Sequence, residues 1–131
     1  MLLAGTGSGA DSVDGHRFMY AHILGAYHAN AVYKASGATI PFPDQRLDFL
    51  WVRWYEVDDS GASGWGAKHL DRVHFPPLDD EHAFGFVNPE DVLRGCHIIP
   101  NFAKGKRHAD GVDISRCAGN SSDYHSYYVG R

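Results

Sequence analysis

Nine histidines, two cysteines and several clustered carboxylates are the side chains of this sequence with the capacity for chemistry. Imidazole and thiolate ligands suit zinc and related ions when their spacing lets them converge. Here the spacing works against convergence. His22 and His28 lie six residues apart in a stretch that reads as a strand, roughly 20 Å if it is straight. Cys96 and His97 are neighbours on a second expected strand, so their side chains point to opposite faces. No C-x-x-C, H-x-x-x-H or H-E-x-x-H spacing occurs. The histidines therefore read as scattered strand and surface residues, with no metal site and no cofactor expected.

The acidic pairs are Asp58-Asp59 and Asp79-Asp80-Glu81. Carboxylates so placed could hold Mg²⁺ or move protons. Both sets fall in turns, where Asp is favoured for backbone reasons. A Cys-His nucleophile needs approach in space, which adjacency along a strand prevents. There is no G-x-S-x-G elbow, Walker-type loop or G-x-G-x-x-G. The run Gly5-Thr6-Gly7-Ser8-Gly9 neither follows a strand nor opens a helix. No catalytic residue is expected, and a metal-assisted hydrolase using His and acidic side chains is the alternative kept beside that reading.

Two further groups bear on binding. Lys104, Lys106 and Arg107 form the one basic cluster, able to touch phosphate but diluted by Asp110 and Asp113. With Arg46, Lys68 and Arg72 it carries a weaker nucleic-acid alternative. Trp51, Arg53 and Tyr55 fall on one face of the strongest expected strand. Large aromatics beside Arg are enriched at binding hot spots, and small barrels use such groups to read peptides or methylated lysines. This face is the candidate binding site, and packing beneath a loop or the tail is its plain structural alternative.

The elements that must position these residues follow from local pattern. Residues 17–34 alternate with period two and read as one long strand, with Gly25 marking a bulge or bend and a helix, given the frequent Ala, as the alternative. Met19, Ala21, Ile23 and Tyr27 are expected on its better-buried face. Residues 35–46 are a loop containing Pro41 and Pro43. Residues 47–57 (LDFLWVRWYEV) are a strand in which nearly every side chain is a good strand former. Residues 65–75 suit a strand or a short helical turn. Residues 83–87 and 96–100 are short strands. Between them Asn88 caps a turn that Pro89 opens and Gly95 ends. Residues 124–129 supply a last strand if an edge is open to them.

With 131 residues, 44% of them hydrophobic, the chain suits one domain with a real core. The expected layout is a disordered leader over 1–15, a β domain over 16–103 and a polar tail over 104–131. Short strands, one helical turn and no strand-helix-strand alternation point to an all-β fold, a small SH3-like or chromatin-reader-like barrel. A net charge of −4 gives no general field for phosphate. Two cysteines suit reduced thiols in an intracellular protein, nuclear or cytoplasmic, with one disulfide between Cys96 and Cys117 as the alternative. No window approaches a membrane span.

The runs HRFMYAHILGAYHANAVY, LDFLWVRWYEV, GWGAKHLDRVHF, AFGFVNPEDVLRGCHIIPNF and SYYVGR together resemble a segment of basidiomycete proteins. That segment lies near the C-terminus of long proteins encoded by Plavaka-like and related CACTA-type DNA transposons. The resemblance covers residues 15–131, and its most specific parts are 49–54 and 94–100. It implies an accessory segment of unknown role, because strand transfer in such elements belongs to a separate domain with three acidic residues. It carries no catalytic or binding residue across. It also implies that the chain is a fragment, since the segment usually continues past the last tyrosines. The expected function is a non-catalytic interaction module for a peptide or protein partner.

Overall fold

The computed structural model describes residues 2–4, 18–32, 36–37, 44–58 and 69–130. These form eight strands: β1 Leu2–Ala4, β2 Phe18–Ala31, β3 Gln45–Val57, β4 Asp71–His74, β5 Phe84–Val87, β6 Val92–Arg94, β7 His97–Pro100 and β8 Tyr127–Gly130. Every pairing is antiparallel, in the order β6-β1-β2-β3-β4-β8-β7, with β5 added to β3. The result is a mainly β, curled half-barrel. No helix among the described residues is long and apolar enough to cross a membrane.

The long β3 is the organising strand. One edge pairs with β2 over most of its length. The other edge is shared, with β5 on Leu50–Arg53 and β4 on Glu56–Val57. Strands that serve two sheets make corners, and this sharing is what curls the fold. Both faces of β3 meet apolar groups. Tyr20, Val73, Phe75, Tyr127 and Val129 form the larger core, joined by Tyr55 and Val57. Ala21, Val52 and Val87 form a smaller one on the opposite face, with Leu50, Trp54 and Val92. A strand buried on both sides reads as a continuous apolar run, as LDFLWVRWYEV does.

The bulge signalled by Gly25 is present, and it has a consequence for sidedness. The β2–β3 register shifts between Ile23 and Gly25. A shift of one residue exchanges the faces of every later side chain. Tyr20 and His22 therefore share a face with Tyr27, while Ala21 and Ile23 share the other with Ala26 and His28. This corrects the expected single face through Met19, Ala21, Ile23 and Tyr27. Tyr20 is the residue in the core, its hydroxyl donating to buried Asp71 at 2.6 Å, and Met19 is exposed.

Other expectations are corrected at their edges. Within the expected leader, Leu2–Ala4 pair with β2 and β6, while the glycine-rich run at 5–9 lies outside the described residues. Asn88 caps as expected, its Oδ1 accepting from the Glu90 N–H at 3.0 Å ahead of a single 3-10 turn, Pro89–Asp91. That turn closes at Val92 and becomes β6 before Gly95 is reached. Residues 71–74 are strand. The last strand expected within 124–129 of the polar tail is present as β8, and it lies inside the sheet between β4 and β7. Cys96 and Cys117 are free thiols.

Gly85 shows how tightly β5 seats on β3. A Cβ built there would stand 2.5 Å from Trp54 Nε1 and 3.3 Å from its Cε2. The indole occupies the space that a side chain would take. Gly85→Ala is expected to cost about 1–3 kcal/mol by overpacking. The midpoint of urea unfolding checks this, and an unchanged midpoint would mean that the indole yields freely.

Candidate functional site

The three residues singled out on β3 have different fates. Arg53 is 2% exposed. Its Nη1 and Nη2 donate to Asp123 Oδ1 and Oδ2 at 3.0 and 2.8 Å, a bidentate pair. The guanidinium also lies 3.7 Å from the Phe75 ring centroid. Planar Arg matched to carboxylate and stacked on an aromatic is the arrangement in which a buried cation is best held. Tyr55 stacks on Phe75 at 4.1 Å and meets Tyr127 edge-on at 5.6 Å. Burial, with Tyr127 and Asp123 nearby, pushes its phenol well above the usual range. Arg53 and Tyr55 thus serve the interior and present little to a partner, a correction to the face expected from alternation alone. The plain alternative, packing beneath the C-terminal segment, describes these two. Trp51 and Tyr55 are both partly exposed, but the Trp51 ring meets Phe84 and Phe86 instead of Phe75 and Tyr127.

Outward from Arg53 the same face continues as a ladder of rings. Trp51 lies nearly parallel to Phe84, with centroids 5.4 Å apart and planes 5° off. Trp51 also meets Phe86 at 4.8 Å. Phe86 meets Phe49 edge-on at 5.4 Å, and Phe49 stacks on Tyr27 at 5.8 Å. Register explains the gathering: Trp51 opposes Phe86 across β3–β5, and Phe49 opposes Tyr27 across β2–β3. Directly opposed and diagonal side chains on one sheet face are within ring contact. Tyr27 leans back over Gly25, where a Cβ would come within 2.6 Å of Tyr27 Cε2. Gly25 thus both makes the bulge and gives Tyr27 its seat.

The ladder is open to solvent. Phe86 is 68% exposed and Tyr27 is 54% exposed. Leu47 continues the face beyond Phe49, also half-exposed. From Trp51 outward, the β2, β3 and β5 residues on this side are Gly25, Tyr27, Ala29, Ala31, Gln45, Leu47, Phe49, Trp51, Phe84 and Phe86, none of them charged. Arg46 and Asp48 sit on the reverse face and pair with each other at 2.9 Å.

The remaining candidates do not converge on the ladder. Lys104 and Lys106 are exposed. Arg107 Nη1 donates to the Phe75 carbonyl at 2.8 Å, so part of that cation is spent on the fold. Arg107 and His108, with Arg53, Leu78 and Asp79, line a separate recess of about 460 Å³. Arg72 pairs with Asp58 at 2.7 Å. Lys68 lies outside the described residues. Among the described residues no three His, Cys, Asp or Glu side chains gather as a metal-holding group. His74 meets Glu56 at 3.2 Å, and His82 meets Asp80 and Glu81 at 3.3 and 3.7 Å.

Sequence reasoning missed Phe84, Phe86 and Tyr27 as companions of Trp51. The alternation F-x-W in β3 and F-x-F in β5 was the available signal, but the register that joins them is not written in either strand. It also missed Asp123. A buried Arg requires a partner carboxylate, and nothing local marks which of the sixteen acidic residues supplies it.

Two outcomes follow. Asp123→Ala leaves the Arg53 charge buried and unpaired, an expected loss of about 3–5 kcal/mol, whereas Arg53→Met with Asp123→Leu stays near wild-type stability. Equal losses in both proteins, measured by denaturant unfolding, would contradict the pairing. The second outcome concerns His22, opposite Arg53 across the strands. Burial, then the Arg53 charge, lowers its pKa from 6.5. The unfolded chain then binds the extra proton first as pH falls, so stability drops from pH 6.5 down to the folded pKa and is level above 6.5. His22→Gln should flatten this slope in a pH series of thermal melts.

No family model, curated protein or solved structure matches the chain.

Proposed function

We propose that this chain is a non-catalytic interaction module that takes a peptide or protein partner on the ring ladder of Tyr27, Phe49, Trp51, Phe84 and Phe86. The observation that carries this is a contiguous, half-open aromatic face bearing no charge from Trp51 outward. Single exposed hydrophobics are ordinary, but contiguous exposed apolar patches mark interaction sites. Tyr and Trp are enriched where binding energy concentrates, and their few rotatable bonds keep the ordering cost low.

The same face argues against the nucleic-acid alternative at this site. Base stacking on aromatics works alongside cations that track the phosphates. Among the described residues the exposed lysines belong to the separate 104–108 segment. As finer architecture we propose an SH3-like or chromatin-reader-like barrel, supported by short curled strands with one 3-10 turn between them. The motifs around Trp51 and Cys96 support descent from an accessory segment of fungal transposon-encoded proteins, working inside the cell.

The test is selection of a displayed random-peptide library on the wild-type protein. Tyr27→Ser with Phe86→Ser is expected to weaken the selected peptides by about a hundredfold, on the scale of about tenfold per hot-spot ring. Ile114→Ser, an exposed apolar side chain off the ladder, should leave them unchanged. Peptides that bind the double variant as tightly as wild type would sink the assignment.

A further inference from the structure

Resting on the ring-ladder reading above, we infer that the partner is an extended segment that adds a strand to the β5 edge left unpaired among the described residues, apolar at its centre and carrying Lys or Arg at both ends.

The edge is defined by hydrogen-bond parity. The Trp54 N–H bonds the Ala83 carbonyl at 2.9 Å. Opposed residues in an antiparallel pair alternate between exchanging hydrogen bonds and not. The next bonded pairs in this register are Val52 with Gly85 and Leu50 with Val87. Phe84 and Phe86 must then turn their N–H and C=O groups away from β3. That makes two donors and two acceptors along one edge, and β5 pairs with β3 alone among the described residues. Within 84–87 there is no Pro, charged side chain or bulge of the kind that ordinarily blocks strand addition.

Edge and ladder belong to the same residues. A strand hydrogen-bonded to Phe84 and Phe86 sets alternate side chains beside those rings, on the ladder face. Main-chain bonds would supply register, and the rings would select apolar side chains at every second position.

Charge decides between occupants. Residues 76–91 contain Asp79, Asp80, Glu81, Glu90 and Asp91 and no Lys or Arg. Asp79, which lines the recess beside Arg107, is exposed, as are Glu81, Glu90 and Asp91, so acidic side chains stand on both flanks of β5. Self-pairing about a two-fold axis would set the acidic flank of one copy against the acidic turn of the other, which like-charge opposition disfavours. A segment with basic ends meets both flanks favourably.

The probe is a synthetic, end-capped peptide with a Thr-Val-Thr-Val-Thr-Val centre and two lysines at each end. Its counterpart carries glutamates at the ends. Binding is read by heteronuclear NMR titration and Trp fluorescence. The lysine peptide is expected to bind at least tenfold more tightly than the glutamate peptide, with shifts centred on residues 84–87. Phe86→Pro removes the ring and an outward donor together and is compared with Phe86→Ala, which removes the ring alone; a further tenfold or greater weakening is expected from the Pro variant, with the fold retained by circular dichroism. If that variant does not fold, N-methylation of the central peptide amides gives the same reading on the wild-type protein. Equal affinity of the Pro and Ala variants, or no effect of amide N-methylation, would overturn strand addition and leave the ring ladder standing as a site. Equal binding of the two peptides would overturn the basic partner. Failure of both peptides, with library peptides still lost on Tyr27→Ser and Phe86→Ser, would sink this inference alone.

Discussion

The buried pair of Arg53 and Asp123 holds the two halves of this fold together. Arg53 belongs to the central strand, and Asp123 lies seventy residues later, just before β8. Moving both charges out of water is expensive, and only close geometry offsets the cost. That geometry is present in two short hydrogen bonds and the face of Phe75. Neighbouring contacts pull the same way. Arg107 reaches the Phe75 carbonyl, and Asn101 reaches Ser126. The last third of the chain is polar in composition but is fastened by specific polar bonds where apolar area is scarce. It then delivers β8 to the interior of the sheet.

This constraint also decides where binding chemistry can lie. One face of β3 carries Phe49, Trp51, Arg53, Tyr55 and Val57 in succession. The inner end is consumed by the core and by the ion pair. The outer end has the same aromatic character but no covering element among the described residues. The proposed site is the uncovered continuation of the core face, and Arg53 marks the boundary. An aromatic-plus-Arg signature on a strand therefore had two readings. The structure divides it, with the Arg on the structural side and the Trp on the open side.

Much of the fold was legible because strand signals here are local. The alternation in 47–57, the Asn88-Pro89 cap and the bulge at Gly25 all depend on neighbours in sequence. What was not legible depends on distant partners. The bulge was foreseeable, but its reversal of sidedness along β2 becomes visible only once the register with β3 is known. The short strand β1 has three residues and no pattern of its own, so only its neighbours β2 and β6 define it. The segment holding Asp123 reads as tail because its order comes from pairing with Arg53 rather than from hydrophobic periodicity. At the site, Trp51 was found from its own strand. Phe84 and Phe86 were read only as part of a short strand, since nothing in AFGFV says against which face it docks.

The outer β2–β3 ribbon gives the last step of the functional argument. Among the described residues, β3 outward of Leu50 pairs with β2 alone, and β2 beyond Ala21 pairs with β3 alone. Isolated two-stranded ribbons are marginal in water. This one is anchored at one end by the ion pair and core, and it holds its rings together by stacking rather than by burial. Ring stacking across a sheet face contributes about 0.5–1.5 kcal/mol per pair beyond area. That suffices to order the ladder without closing it. A third strand laid along β5 would cover rings that the fold itself leaves wet and would satisfy four backbone groups at once. The same feature that weakens the free ribbon thus makes a gain in burial available to a partner.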